Sequence, residues 1–188
     1  MTDAEPVIRL VEPPELDEVA ALYDGVVEAL DLAAGGEAEN AAWWERGSYP
    51  SVREAEADCA AGTLYVAVIG GAFAGAVTIN GDMIAAYDEV AWRSGARRDE
   101  CVTVHRLCVS PRFQRRGVAR AMLGFAEDLA KTSGKRAVRL DTFVKNEAAA
   151  SLYKSCGYAL AAERALGYDE PEAEPHRFYL FEKEVADD

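Results

Sequence analysis

The sequence predicts an α/β fold: a mixed β-sheet of about seven strands flanked by helices, with a parallel pair at its centre. Three observations carry that reading. An apolar run from Val102 to Val109, a helical stripe from Gly117 to Thr132 and a second run from Ala137 to Val144 form a strand–helix–strand unit. Its strands must be parallel and its crossover right-handed. Thr63 to Ile69 and Ala72 to Ile79 flank Gly70-Gly71, a hairpin signal, so the sheet also holds antiparallel pairs. Two further strand-like runs, Tyr158 to Leu166 and Arg177 to Glu184, close the chain around a polar loop from Asp169 to Pro175.

The remaining elements follow in order. Val7 to Val11 reads as the first strand. Pro13 and Pro14 open a helix whose Leu16, Val19, Ala20, Tyr23, Val26, Val27 and Leu30 recur at helical spacing, and Gly35-Gly36 stops it. A second helical segment holds Asn40 to Glu45; Ser51 caps a third, which runs to Ala61 before Gly62. The stretch from Gly81 to Asp99 exceeds a usual hairpin loop, a length common in functional or mobile segments. Val118, Met122, Phe125 and Leu129 mark the apolar stripe of the crossover helix. Along the next strand Val138, Leu140 and Thr142 alternate with Arg139, Asp141 and Phe143; Arg139 and Asp141 read as one solvated or paired face, not as catalytic groups. Asn146 caps a short helix through Ser155, with Gly157 placed to end it.

Residues 1–188 are expected to form a single domain with a motif core over 102–158, because the chain is long enough to bury a sizeable core and half its residues are hydrophobic. The 20 basic and 33 acidic residues sum to −13, which argues against a nucleic-acid or anionic-membrane surface. No run is long and apolar enough for a membrane span, and the acidic start lacks the layout of a signal peptide, so the expected location is the cytoplasm. Cys59, Cys101, Cys108 and Cys156 show no paired spacing; they read as reduced, buried small residues, and no metal is expected.

Against this acidic background, one turn is basic. Gln114-Arg-Arg-Gly-Val-Ala119 follows the Val102–Val109 run and heads the crossover helix. Small residues at Gly117 and Ala119 let backbone N–H groups at a helix start approach an anion, and Arg115, Arg116 and Arg120 add positive charge. That combination points to a phosphate-bearing cofactor.

These residues resemble the GNAT superfamily of acetyl-CoA-dependent N-acetyltransferases. Its hallmark turn, Gln/Arg-x-x-Gly-x-Gly/Ala after a strand ending in apolar residues and Pro, is matched by Leu107-Cys-Val-Ser-Pro111 and the turn that follows. A second signature is matched by Asn146-Glu-Ala-Ala-Ala-Ser-Leu-Tyr-Lys-Ser-Cys-Gly-Tyr158, with Asn146, Tyr153, Gly157 and Tyr158 in register. Two motifs in the right order and context are specific where either alone would be weak.

The resemblance implies a splayed sheet, opened by a strand bulge near Cys108, and acetyl transfer to a primary amine of a small molecule or peptide by direct attack in a ternary complex. It implies that Leu107, Cys108 and Val109 offer backbone groups to the pantetheine arm of acetyl-CoA. By the same resemblance Gln114, Arg115, Arg116, Gly117, Val118, Ala119 and Arg120 hold the pyrophosphate, Asn146 bonds the pantetheine, and Tyr153 stands beside the sulfur as general acid. A homodimer is compatible, since C-terminal strands in this family can pair between subunits.

His105 reads either as the general base, its ordinary pKa near 6.5 suiting neutral pH, or as a satisfied core histidine; Glu100, Asp88 and Glu89 are rival bases or water-holders. Trp43, Trp44, Tyr49, Tyr87 and Trp92 are candidates for the acceptor pocket, or pack loop over sheet. Two alternatives stand beside acetyl transfer: a non-catalytic CoA-binding regulatory module, and transfer of a longer acyl group with Met122 as one pocket wall. Segments 37–61, 81–99 and 167–176, which would choose the acceptor, carry no transferable motif.

Overall fold

The computed structural model describes residues 5–35, 39–168 and 175–185. It carries seven strands and four α-helices: β1 (Val7–Leu10), α1 (Leu16–Ala34), α2 (Val52–Ala60), β2 (Leu64–Ile69), β3 (Ala72–Asn80), β4 (Cys101–Val109), α3 (Val118–Thr132), β5 (Ala137–Phe143), α4 (Glu147–Ser155), β6 (Ala159–Ala165) and β7 (Arg177–Glu184). The strand order is β1-β2-β3-β4-β5-β7-β6. β4 and β5 are parallel, while β1 with β2, β2 with β3, β5 with β7 and β6 with β7 are antiparallel. The predicted mixed α/β sheet with its parallel pair is the fold observed. Gly36 and most of the Asp169–Pro175 loop lie outside the described residues, as do parts of segments 37–61 and 167–176.

The chain divides into two compact units, Met1–Ile79 with His105–Phe125, and Asn80–Val104 with Ala126–Asp188. In the first, a 3₁₀ turn at Pro13–Glu15 leads into α1, which buries Val19, Leu22, Tyr23, Val26 and Val27 along one face. These pack with Ala55, Leu64, Val66, Phe73, Ala76 and Cys108 into one core. Ser51 and Glu54 form the capping box of α2: the Ser51 hydroxyl accepts from the Arg53 amide, and Glu54 accepts from the Ser51 amide at 2.9 Å. The β2–β3 turn places Gly70 and Gly71 at φ +58° and +82°, which a side chain would resist.

Asn40 to Glu45 is not a helix but a run of turns with an isolated bridge from Glu45 to Tyr49. The Asn40 amide captures the backbone that a helix would need. Its oxygen accepts from Ala42 N at 3.1 Å and Trp44 N at 3.2 Å, and its nitrogen donates to Asp31 at 2.7 Å and the Trp44 carbonyl at 2.6 Å. Trp43 sits at φ +58°, outside the helical region.

Close approach fixes one further position. A side chain at Gly75 on β3 would begin 2.6 Å from the Cys108 carbonyl oxygen, 3.0 Å from Met122 Sδ and 3.3 Å from Val118 Cγ1. The nearest of these is backbone and cannot rotate away. Gly75→Ala is therefore expected to destabilise the protein by about 1–3 kcal/mol, read as a lower melting temperature. An unchanged melt would mean that β3 and β4 separate at little cost.

The second unit pairs Cys101–Ala137 through Val104–Leu140 in the parallel ladder, then β5 with β7 from Ala137–Glu184 to Phe143–Phe178. Arg139 on β5 and Glu182 on β7 are 3% and 2% exposed and ion-paired at 3.0 Å. Of the two readings of this face of β5, solvated or paired, the paired one is observed, and the 81–99 segment covers it. Ser94 bonds Glu182 from its amide at 2.9 Å and its hydroxyl at 2.7 Å. Arg139 donates to the Ala96 carbonyl at 2.7 Å and lies 4.3 Å over the Trp92 ring. The segment is held further by Arg98, which bonds the Met83 and Ile84 carbonyls and the Asp88 carboxylate.

Candidate active site

The basic turn lies in the first unit. After Pro111–Phe113, Arg115 adopts φ +61° and Gly117 φ +80° before α3 begins at Val118. Alternation of left-handed residues in a turn aims successive amides into one concavity, and the first amides of α3 lack helical acceptors. Gln114, Arg115, Arg116, Gly117 and Arg120 are exposed, whereas Val118 is buried and anchors the turn. Nothing lies within 4 Å of where a Gly117 side chain would start. Arg112 and Arg116 stand 5.9 and 5.5 Å from the Phe113 ring, which gives the cluster a common platform. The structure brings together the predicted turn residues as a left-handed turn at a helix head.

Upstream, Arg106 takes φ +50° within β4, two residues before Cys108. Arg106 is ion-paired with Asp58, and its guanidinium reaches Thr78 Oγ1 at 3.3 Å and the Tyr49 hydroxyl at 3.4 Å. Leu107 and Val109 are half-buried and Cys108 is buried. Burial pushes the Cys108 thiol up to about 12, so it is no ready nucleophile. His105 is half-buried on the same strand. Tyr49 is exposed and Trp43 half-buried. Met122, a suggested pocket wall, is wholly buried beside Gly75.

In the second unit Asn146 caps α4, its side-chain oxygen accepting from Ala149 N at 3.1 Å. Tyr153, on the same helix, is buried, with Phe181 at 5.6 Å edge-on and Tyr158 at 6.2 Å between ring centroids. Burial first, and the negative charge of Asp141 second, raise the Tyr153 phenol above its ordinary range. It therefore keeps its proton at neutral pH, the state an acid requires.

The 81–99 segment brings Tyr87 and Trp92 together, 5.3 Å between rings, with Trp92 Nε1 donating to the Tyr87 carbonyl at 2.8 Å. Tyr87 is buried and its hydroxyl donates to Asp141 Oδ2 at 2.8 Å. The rival carboxylates are engaged elsewhere. Arg98 holds Asp88 below the usual range, and the Arg97 amide does the same to Glu100, which Arg136 also pairs. Glu89 is paired with Arg164 at 2.5 Å. Asp141, read from the sequence as part of a solvated or paired face, is half-buried and accepts the Tyr87 bond from 54 positions away.

Among the described residues no helix is long and apolar enough to cross a membrane, and no group of three or more His, Cys, Asp or Glu side chains could hold a metal ion. Residues 30–158 match the model of the acetyltransferase (GNAT) family. Over 100 residues, 53% of this chain, the sequence is 31% identical to the uncharacterized N-acetyltransferase YesJ of Bacillus subtilis, and the match spans 49% of that relative. The fold is similar to a GNAT-family acetyltransferase of Streptococcus agalactiae, with TM-score 0.74, 21% identity and 100% of each chain covered. It is also similar to a protein of Salmonella typhimurium solved with its cofactor acetyl-CoA, with TM-score 0.66, 17% identity and 98% and 96% covered.

Proposed function

The chain belongs to the acetyltransferase (GNAT) family, and from that premise we propose that it moves the acetyl group of acetyl-CoA onto a primary amine of a small molecule or peptide by direct attack. The observation that carries the reading is the Arg115–Gly117 turn at the head of α3. Its left-handed residues, open space at Gly117 and surrounding arginines suit a pyrophosphate. Gln114 and the amides from Arg115 to Arg120 are the groups that would hold it. Leu107, Cys108 and Val109 would offer backbone groups to the pantetheine arm, and Asn146 a side-chain amide.

Acetyl-CoA, when bound, supplies an activated acyl carbon and a thiolate leaving group. The protein's share is to hold amine and thioester together, to steady the developing oxyanion with a backbone N–H, and to manage protons. Tyr153 gives its proton to the departing sulfur. The high phenol pKa that burial imposes supports this role, as does the absence of a reactive thiol at Cys108 for an acyl-enzyme route.

Thiol release from acetyl-CoA in the presence of primary amines tests the reading. Tyr153→Phe is expected to lower kcat by roughly 10²-fold, with the KM for acetyl-CoA changed only a few-fold. Equal kcat in the two proteins would remove Tyr153 from the mechanism and leave the thiolate to depart unprotonated.

A further inference from the structure

Arg106 on β4 directly precedes Leu107, Cys108 and Val109, the residues that would meet the pantetheine arm. Two features of this arginine are unfavourable in themselves. Its φ of +50° lies in the left-handed region, where an L side chain crowds its own backbone. Its Nε is buried without a hydrogen-bond partner. Such a conformation persists only where the surroundings over-determine it. Three elements of the first unit do so here. Asp58 on α2 holds the guanidinium as an ion pair, with both side chains 13% exposed. Thr78 on β3 accepts from Nη2 at 3.3 Å and donates its own hydroxyl to Asp58 Oδ2 at 2.6 Å. The Tyr49 hydroxyl accepts from Nη1 at 3.4 Å, and its ring centroid lies 6.0 Å from the guanidinium carbon.

We propose that Arg106 is a positioning residue for acetyl-CoA: clamped by Asp58, Thr78 and Tyr49, it holds β4 in the conformation that aims the Leu107–Val109 peptide groups at the pantetheine arm. The assignment rests on the acetyltransferase reading above. Arg106 acts through the strand, not on the reacting atoms. The other end of the same segment is fixed by β3. There the Cys108 carbonyl oxygen lies 2.6 Å from where a Gly75 side chain would start, and the Ser110 amide donates to the Ala74 carbonyl at 2.9 Å. Between the two ends, the Cys108 side chain is buried in one core with Tyr23 and Ala55. Residues 107–109 are thus held from behind by a guanidinium and from ahead by a neighbouring strand.

Without the ion pair nothing offsets the steric cost at position 106, so an extended φ becomes the lower state and the peptide groups that follow turn with it. The nucleotide end of acetyl-CoA does not depend on this, because the Arg115–Gly117 turn takes its shape from its own left-handed residues. The two halves of the ligand therefore report on two separate devices. Lysine at 106 would keep the charge but not the planar fork that reaches Asp58 and Tyr49 at once.

The test is calorimetry with two ligands: acetyl-CoA, and adenosine 3′-phosphate 5′-diphosphate, which carries the same nucleotide and pyrophosphate but no pantetheine arm. Arg106→Gln and Asp58→Asn should each bind acetyl-CoA roughly tenfold more weakly, and the nucleotide within about twofold of native. Arg106→Lys should fall between native and Arg106→Gln for acetyl-CoA. The double variant should be no weaker than the worse single, since the two side chains act as one unit. Asp58→Asn, nearly isosteric, carries the test should Arg106→Gln melt below the assay temperature. Folded variants that bind acetyl-CoA as the native protein does would overturn the assignment. So would equal losses for the two ligands, which would make the clamp a support of the fold at large, and so would losses that simply add in the double variant. A folded native protein that binds neither ligand would remove the acetyltransferase reading itself, and this assignment with it.

Discussion

Gly117→Glu is expected to abolish acetyl-CoA binding. In a calorimetric titration the native protein should saturate, and the variant should bind at least about 100-fold more weakly, a loss of roughly 2.7 kcal/mol. Two effects act together. The carboxylate enters the space that now stands open at Gly117, among the amides and arginines that would otherwise meet phosphate. It also forces a side chain onto φ +80°, which costs about 1–2 kcal/mol of backbone strain. Gly117→Ala carries the strain without the charge and separates the two. The alanine variant should melt a few degrees lower, like the glutamate variant, but keep most of its affinity. Equal loss in both would place the effect in the shape of the turn. No binding by the folded native protein would remove acetyl-CoA from the reading altogether.

The second large effect concerns stability. Arg139 and Glu182 are almost fully buried and meet at 3.0 Å. Breaking such a pair from one side leaves an uncompensated charge in the interior and costs about 3–5 kcal/mol. Glu182→Leu should therefore lower the melting temperature by about 10 °C for a chain of this size. It also strips Ser94 of two hydrogen bonds, so the 81–99 segment should become accessible to protease at the same time. Arg139→Met combined with Glu182→Leu should recover much of the lost stability, since neither charge then remains buried. A double variant no better than the single would show that Ser94 and Ala96, rather than the charges, account for the stability.

The local devices of this fold were legible in the chain. Ser51 with Glu54, Gly70-Gly71, and Asn146 ahead of its helix act within a few residues, and each sits where its chemistry requires. The turn ahead of α3 belonged to the same class, because helix-head geometry is written in adjacent residues. Where local chemistry was ambiguous the pattern misled: Asn40 to Glu45 has helical composition, but a single amide side chain redirects its backbone. The stripe of α3 shifted for a similar reason. Val118, Met122, Leu123, Ala126 and Ala130 are the buried residues, while Phe125 lies half-exposed against Tyr65 at 5.0 Å. Periodicity marks a face but does not say that small residues allow the closest packing.

The rest required distant partners. Tyr87 meets Asp141 across 54 positions and Arg139 meets Glu182 across 43. Charges alternating along β5 look alike whether water or another strand covers them. Only the covering segment distinguishes the two, and its bonds to β5 and β7 join residues far apart in the chain. The same holds for the rival bases, whose sequence neighbours gave no sign that Arg98, Arg164 and Arg136 would engage them.

Cys101 and Cys108 stand at opposite ends of β4, both buried, with their thiols raised by that burial. One falls in the second unit and the other in the first. A thiol reagent reaches each only when the structure around it opens, so the two cysteines serve as native clocks. Rates that agree describe a strand released in a single cooperative event. Rates that differ time the two ends separately, without any label being added to the protein.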